Sequence, residues 1–285
     1  MSRRLLTLWL LGALGLAAAG ALGLRAARRT ARPRASPAAA DAGGGLSVFA
    51  AASLRESFGE AAARFERAHP GARVSFAFAG SQQLRLQIEH GAAADVFASA
   101  DLRQAEALRA AGLLLPPRIF ARNALALVVP RANPAGVHAL RDLPKARRIV
   151  IAGPEVPAGR YTEQLLAAAG AQFGAQFEAA VRARVVSREL DVRQVLAKVA
   201  LGEADVGVVY RTDARGAPGD VERIDIPEGL NQTAAYPIAA AVGARAPALA
   251  AAFVDFIVSP EGQAVLAAHG FLPPPPPSGP GPWDR

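Results

Sequence analysis

The chain has no cysteine among its 285 residues. Zinc fingers, iron–sulfur clusters, disulfide frameworks and cysteine nucleophiles all need a thiol, so these classes of protein are excluded. The same absence argues against a lipid anchor attached to an N-terminal cysteine. Hydrophobic residues nonetheless make up 52% of the chain and charged residues only 20%, which is the composition of a folded protein with a sizeable core.

Aromatic residues are also scarce, at 6%, and the net charge of +8 is concentrated at one end. Residues 1–45 hold seven arginines and one aspartate, a net charge of +6, whereas residues 46–271 carry only +2. Nucleic-acid binding needs a basic surface and, for single strands, stacking side chains. The near-neutral body has neither, so no nucleic-acid partner is expected.

Residues 1–45 have the pattern of an export segment followed by a linker. Arg3 and Arg4 precede an apolar run from Leu5 to Leu24, which matches the charged and apolar regions of a signal peptide. About 20 apolar residues also suffice to span a bilayer, and the arginines after the run oppose its translocation. A cleaved signal peptide and a retained anchor therefore both stay open. At the other end, residues 272–285 are rich in proline and predict a disordered tail.

Between these ends, short apolar runs alternate with segments of helical periodicity. This alternation predicts an α/β fold with largely parallel sheets, and the length of the body favours two lobes over one. The predicted strands are 46–50, 74–78, 95–98, 124–129, 148–152, 183–187 and 205–210, and the predicted helices lie around 54–65, 84–88, 102–111, 162–169 and 192–201.

Four helix starts directly follow four of these strands. Ser53 and Ser81 are predicted N-caps of two helices, and the other two helices start near Ala158 and Val192. Helix N-termini offer unpaired N–H groups and a partial positive charge, and ligands of open α/β sheets bind beyond the carboxyl ends of strands. The pattern indicates an anion site without lysine or arginine. The alternative for each serine alone is a purely structural cap.

Five segments in fixed order resemble the periplasmic molybdate-binding proteins of molybdate ABC transporters. They are Phe49–Leu54, Asp95–Asp101, Pro157–Tyr161, Asp191–Leu196 and Val209–Ala214, and Ser259–Gln263 resembles the C-terminal helix of that family. The resemblance implies a two-lobed periplasmic solute-binding fold, each lobe a mostly parallel sheet flanked by helices, with the ligand in the interlobe cleft. Lobe 1 is expected at 46–122 and 236–271, and lobe 2 at 123–235, with crossovers near Arg122-Asn123 and 228–236.

The resemblance also implies which groups bind the oxyanion. Ser53 and Ser81 would donate from the first lobe, and the backbone at Ala158 and Val192 with the Tyr210 hydroxyl from the second. These donors would hold the oxygen atoms of molybdate or tungstate, with no direct ligand to a metal ion and no further cofactor. Two residues stand out: Gln82 replaces a small residue, and the carboxylate of Asp191 has to point away as a helix cap, since otherwise it repels a dianion. Without the resemblance, the sequence pattern indicates that Tyr210 is an aromatic residue of the core.

The function implied is the binding component of an ABC importer, exported to the periplasm and monomeric, which delivers its anion to a permease and ATPase complex. A membrane-tethered sensor domain, a binder of another oxyanion and a ferric-ion binder stay open as alternatives. An enzyme is not expected, because the four histidines are dispersed and no nucleophile-elbow or nucleotide-binding motif occurs. The three tyrosines are spread out as well, which disfavours ferric ion.

Overall fold

The computed structural model describes residues 44–216 and 219–276. The predicted signal peptide or anchor and the end of the predicted tail lie outside these residues. The strands are β1 (Gly45–Ala51), β2 (Arg73–Ala79), β3 (Val96–Ala98), β4 (Arg118–Pro130), β5 (Ile149–Ala152), β6 (Val185–Glu189), β7 (Val206–Tyr210), β8 (Val221–Asp225) and β9 (Thr233–Ala240). The α-helices are α1 (Arg55–Ala68), α2 (Ser81–Glu89), α3 (Leu102–Ala110), α4 (Pro157–Phe173), α5 (Ala175–Ala183), α6 (Val192–Ala200), α7 (Arg211–Arg215), α8 (Pro247–Val258) and α9 (Pro260–Ala268).

The strands are hydrogen-bonded in the order β2-β1-β3-β9-β4-β7-β5-β6, and β8 pairs with β4. Parallel pairing joins β1 to β2 and β3, and β5 to β6 and β7, as expected for strands separated by helices. The antiparallel pairings all involve β4 or β9. The α/β alternation is therefore confirmed, with two parallel groups of strands joined by two long antiparallel strands.

Strand β4 changes partner along its length. Residues 118–124 pair with β9, whereas residues 125–130 pair with β7 and β8. We call β2, β1, β3 and their neighbour β9 the first half-sheet, and β7, β5, β6 and β8 the second half-sheet. The crossovers predicted near residues 122–123 and 228–236 lie close to this exchange, and the lobe boundaries stay a prediction.

Helices cover both faces of the first half-sheet. Along β1, Val48 points into a core shared with Phe58 of α1, whereas the next residue, Phe49, packs with Leu84 of α2 and Leu108 of α3. Because successive side chains of a strand point to opposite faces, a strand buried on both sides loses the alternation of a half-exposed one. This explains why β1 reads as a continuous apolar run.

Several elements depart from the sequence prediction. Helix α4 begins at Pro157, next to the helix start predicted near Ala158 and five residues before the periodic stretch 162–169, because proline suits the first helical position. Helix α5, strands β8 and β9 and helix α8 are not among the predicted elements. Helix α8 is apolar on most sides and buried, so it carries little periodicity, and β9 is rich in alanine. Leu272, assigned to the tail, pairs through its backbone with Arg122.

Candidate functional site

One small cavity lies where β1 and β2 end and where α4 and α6 begin. All five residues expected to bind an anion line it: Ser53, Ser81, Ala158, Val192 and Tyr210. The space open to the centre of a water-sized sphere is about 10 Å³, about what is needed to hold one water molecule. The cavity is therefore much smaller than a pocket for a drug-sized ligand, and it suits only a small one.

Two helix starts, those of α4 and α6, border this cavity. Ala158 is the second residue of α4 and Val192 the first residue of α6, and the first four N–H groups of a helix have no acceptor within it. Arg160 already donates its N–H to Val156, which marks where the helical hydrogen bonds of α4 begin. The free N–H groups and the helix dipoles give the cavity a partial positive charge.

Asp191 lines the same cavity, yet its carboxylate is occupied as a helix cap. Its Oδ1 accepts from the backbone N–H groups of Arg193 at 2.8 Å and Gln194 at 3.0 Å, and its Oδ2 accepts from the Gln194 side chain at 2.9 Å. The cap takes the second and third N–H groups of α6 and leaves that of Val192. Asp191 thus has the orientation that an anion site requires.

Two hydroxyl groups are arranged as donors. The Ser81 Oγ accepts from the N–H of Ala100 at 3.1 Å, which leaves its own proton to donate. Tyr210 is 1% exposed, and its hydroxyl has no hydrogen-bond partner among the described residues. Burial raises the pKa of Tyr210 well above its usual value, so the hydroxyl keeps its proton. An unpaired buried hydroxyl is costly, and a ligand in the cavity would satisfy it.

Asp213 contacts both the backbone of Tyr210 and the side chain of Arg193. Its Oδ2 accepts from the backbone N–H of Tyr210 at 3.1 Å, and its Oδ1 lies 3.1 Å from the Arg193 guanidinium. Burial raises the pKa of Asp213 to about 7, against the opposing effect of Arg193 and the Tyr210 N–H. No lysine, arginine or histidine is among the described residues that line the cavity. Neutral donors therefore carry the positive potential of the site.

Neither serine is the N-cap that the sequence predicts. A short 3₁₀ turn, Ala52–Leu54, separates β1 from α1, so Ser53 lies inside that turn, and its Oγ bonds to the Tyr236 hydroxyl at 3.0 Å. Ser81 is the first residue of α2, and Gly80 takes the cap position. A Cβ on Gly80 would lie 2.4 Å from the Leu190 oxygen, so glycine allows the close approach of these two segments.

Three contacts near the cavity join helices of the first half-sheet to segments of the second. Gln82 of α2 donates to the Leu190 oxygen at 2.8 Å, Asp101 before α3 pairs with Arg160 of α4 at 3.0 Å, and Glu56 of α1 pairs with Arg193 of α6. Apart from Gln82, which the sequence marks as unusual, these residues were missed by sequence reasoning. A charged residue next to each anion-binding motif was the available signal, but its partner lies 59 to 137 residues away.

Residues 46–272 match the family described as bacterial extracellular solute-binding protein. The chain belongs to this family. Over 245 residues this solute-binding protein is 37% identical to the protein named molybdate-binding protein ModA in Mycobacterium tuberculosis, covering 85% of this chain and 90% of that one. Residues 1–45 precede the family match, and all but the last two of them lie outside the residues that the structure describes.

Solved structures of periplasmic binding proteins share this α/β fold. The periplasmic molybdate-binding protein of Azotobacter vinelandii has a TM-score of 0.69 at 24% identity, covering 80% of this solute-binding protein and 99% of its own chain. The sulfate-binding protein SubI of Mycobacterium tuberculosis has a TM-score of 0.72 at 19% identity, covering 81% and 88%. Proteins named for different anions share the fold, so the choice of anion depends on the residues of the site.

Proposed function

We propose that this solute-binding protein captures molybdate, and equally tungstate, in the cavity and delivers the anion to an ABC permease and its ATPase. The observation that carries the proposal is the buried Tyr210 hydroxyl, which lines a donor-rich cavity and has no partner among the described residues. The 37% identical relative named for molybdate supports the choice of anion. No described residue in the cavity separates molybdate from tungstate.

The donor set is sufficient for tight binding. Hydrogen bonds to charged groups contribute about 1.5–3 kcal/mol each. Five such donors supply about 8–15 kcal/mol before desolvation costs, and micromolar binding corresponds to about 8 kcal/mol. A fully deprotonated oxyanion only accepts hydrogen bonds, so it leaves none of these donors unpaired.

Binding rather than catalysis fits the surroundings of the two serines. A nucleophilic serine needs an adjacent base, whereas the side chain of Ser53 pairs with the Tyr236 hydroxyl and that of Ser81 with a backbone N–H. Ferric ion fits poorly as well, because the cavity's one carboxylate among the described lining residues is the helix cap Asp191. The relatives are solute-binding proteins, which supports the same conclusion.

We also propose that the protein is exported and acts as a monomer. The family description as extracellular and the periplasmic neighbour from Azotobacter support export. The apolar run after Arg3 and Arg4 would direct it. Mass spectrometry of the protein recovered from its native host reads the mature N-terminus, and a retained N-terminal run would favour the membrane-tethered sensor instead.

Calorimetric titration of the purified protein with molybdate, tungstate, sulfate and phosphate tests the function. We expect one site that binds molybdate and tungstate alike, with sulfate and phosphate much weaker. Tyr210→Phe should weaken molybdate about ten- to hundredfold, because it removes one hydrogen bond to a charged group. The unliganded variant should unfold at the same or a higher temperature than the wild type, since the lost hydroxyl has no partner to lose.

Tyr161→Phe is the matched control. Tyr161 is also buried and also belongs to a segment of the family resemblance, Pro157–Tyr161, but it does not line the cavity. Its variant should bind molybdate like the wild type. The proposal fails if none of the four anions binds, or if Tyr210→Phe and Tyr161→Phe weaken molybdate equally.

A further inference from the structure

A chain of buried hydrogen bonds leads from the crossover strands to the cavity. The Asn123 Nδ2 of β4 lies 2.9 Å from the Thr212 Oγ1 and 3.4 Å from the Tyr236 hydroxyl of β9. The Tyr236 hydroxyl in turn lies 3.0 Å from the Ser53 Oγ. Asn123, Tyr236 and Ser53 are 1%, 0% and 4% exposed, so these three side chains of the hydrogen-bond chain are buried.

The direction of the chain follows from the amide of Asn123. Its Oδ1 accepts from the backbone N–H of Ala124 at 2.9 Å. Turning the amide over would place its NH₂ group against that N–H, and two donors would then face each other. The nitrogen of Asn123 therefore faces Tyr236, and a side-chain NH₂ group donates but does not accept.

The protons of the two hydroxyls are then assigned in sequence. Because Asn123 donates to the Tyr236 oxygen, the remaining acceptor for the Tyr236 proton is the Ser53 Oγ. Ser53 has accepted that bond, so its own proton points away from Tyr236. Ser53 borders both the anion cavity and a second cavity lined by Thr212 and His269, and an anion bound in the first supplies the acceptor for that proton. Burial also raises the pKa of Tyr236, which keeps this hydroxyl protonated.

We propose that Asn123 and Tyr236 are positioning residues that hold the Ser53 hydroxyl as a donor toward the cavity, so that the site selects fully deprotonated oxyanions. The inference rests on the proposed function. Inorganic phosphate near neutral pH keeps at least one proton and needs an acceptor for it. With Ser53 fixed as a donor and Ser81 already accepting from Ala100, both serines present protons to the ligand. The phosphate proton would face donors and lose its hydrogen bond.

Tyr236→Phe tests this proposal, because phenylalanine keeps the ring and its edge contacts with Phe120, Tyr210 and Phe271. Without the hydroxyl, Ser53 is free to turn and to present a lone pair to the cavity. We expect calorimetric titration of the full chain to show molybdate weakened about three- to tenfold, as for the loss of one ordinary hydrogen bond. The binding of inorganic phosphate should not weaken. The ratio of molybdate affinity to phosphate affinity should therefore fall by the factor that molybdate binding loses.

A double-mutant cycle with Ser53→Ala separates positioning from general packing. In the Ser53→Ala background, Tyr236→Phe should leave the affinity ratio unchanged, because the hydroxyl that it orients is gone. The inference is wrong if Tyr236→Phe weakens both anions by the same factor, or if its effect persists in the Ser53→Ala background. A wild-type protein that binds neither anion refutes the proposed function itself, whereas normal molybdate binding with an unmoved ratio refutes only the positioning.

Asn123→Asp is a second, independent test of the same hydrogen-bond chain. A carboxylate at this place accepts the proton of Tyr236, so Ser53 donates to Tyr236 and turns a lone pair toward the cavity. At pH 8, molybdate and nearly all of the phosphate are dianions, so the added charge repels them alike. The affinity ratio measured at this pH should narrow at least as much as in Tyr236→Phe. An unchanged ratio in this folded variant also overturns the inference. Tyr161 lies outside this hydrogen-bond chain, so Tyr161→Phe should keep the wild-type ratio of molybdate to phosphate affinity.

Discussion

Replacing Gly159 with alanine is expected to destabilise the folded protein by at least about 3 kcal/mol and to abolish anion binding. A Cβ at this third residue of α4 would lie 1.8 Å from the Gly153 oxygen and 2.5 Å from the Ala152 oxygen. Neither oxygen can yield easily, because Ala152 belongs to the buried strand β5 and the Gly153 oxygen accepts from the Val156 N–H at 3.0 Å. The start of α4 must therefore move, and Ala158 moves with it.

Gly59→Ala is the control for this substitution. Gly59 lies within α1, and a Cβ there meets nothing within 4 Å. Alanine should stabilise this position by about 0.5–1 kcal/mol, as in other helix interiors. Urea unfolding and molybdate titration of both variants check the pair. If Gly159→Ala unfolds at the wild-type urea concentration and binds molybdate, α4 does not need glycine for this close approach.

The parts of the fold predicted from the sequence are those in which local pattern and tertiary role agree. Strands β1, β5 and β7 are short apolar runs that end at a helix start or turn, and their carboxyl ends carry Ser53, Ala158 and Tyr210 close together in space. The helix starts of α4 and α6 can be predicted as anion-binding groups because unpaired N–H groups occur at any helix N-terminus. Tyr210 followed only from the family resemblance.

The remaining parts depend on contacts that sequence spacing does not contain. Ser53 and Tyr236 are 183 residues apart, and Asn123 lies 113 residues from Tyr236. Asn123 precedes the apolar residues 124–130 in β4, and a polar amide beside that run was the local sign of the hydrogen-bond chain. The predicted N-cap positions were wrong by one or two residues. Composition does not distinguish a serine cap from a 3₁₀ turn or from a glycine cap.

Three contacts join the two half-sheets beside the cavity in which we propose that the anion binds. Each contact joins a helix of the first half-sheet to a segment of the second. Two of the three contacts are ion pairs, and Asp101–Arg160 is the more buried of these two. Asp101 is 1% exposed and Arg160 has 22% of its side chain exposed. Among the described strands, β4 and β9 join the two halves of the sheet, and these pairs add contacts between the halves beside the cavity.

Asp101→Ala should therefore weaken molybdate binding at least tenfold and lower the free energy of unfolding by about 3 kcal/mol, the lower end for breaking a buried ion pair. The loss has two parts, because Asp101 Oδ2 accepts from Arg160 at 3.0 and 3.2 Å while Oδ1 accepts from the Gln104 N–H as the cap of α3. Asp101→Asn keeps an oxygen for the cap and removes the charge, so it should regain the cap's share, about 1 kcal/mol.

The exposed pair Arg118–Asp255 supplies the comparison, with side chains 50% and 71% exposed. Asp255→Asn should change the free energy of unfolding by no more than about 1 kcal/mol and leave molybdate binding as in the wild type, since solvent screens such pairs. Urea unfolding with and without molybdate measures all three variants. A closure role requires that Asp101→Asn loses affinity for molybdate beyond its loss of stability in the absence of the anion, because the pair then acts in the liganded, closed state. An Asp101→Asn protein that is less stable but binds molybdate with wild-type affinity would assign the pair to folding alone.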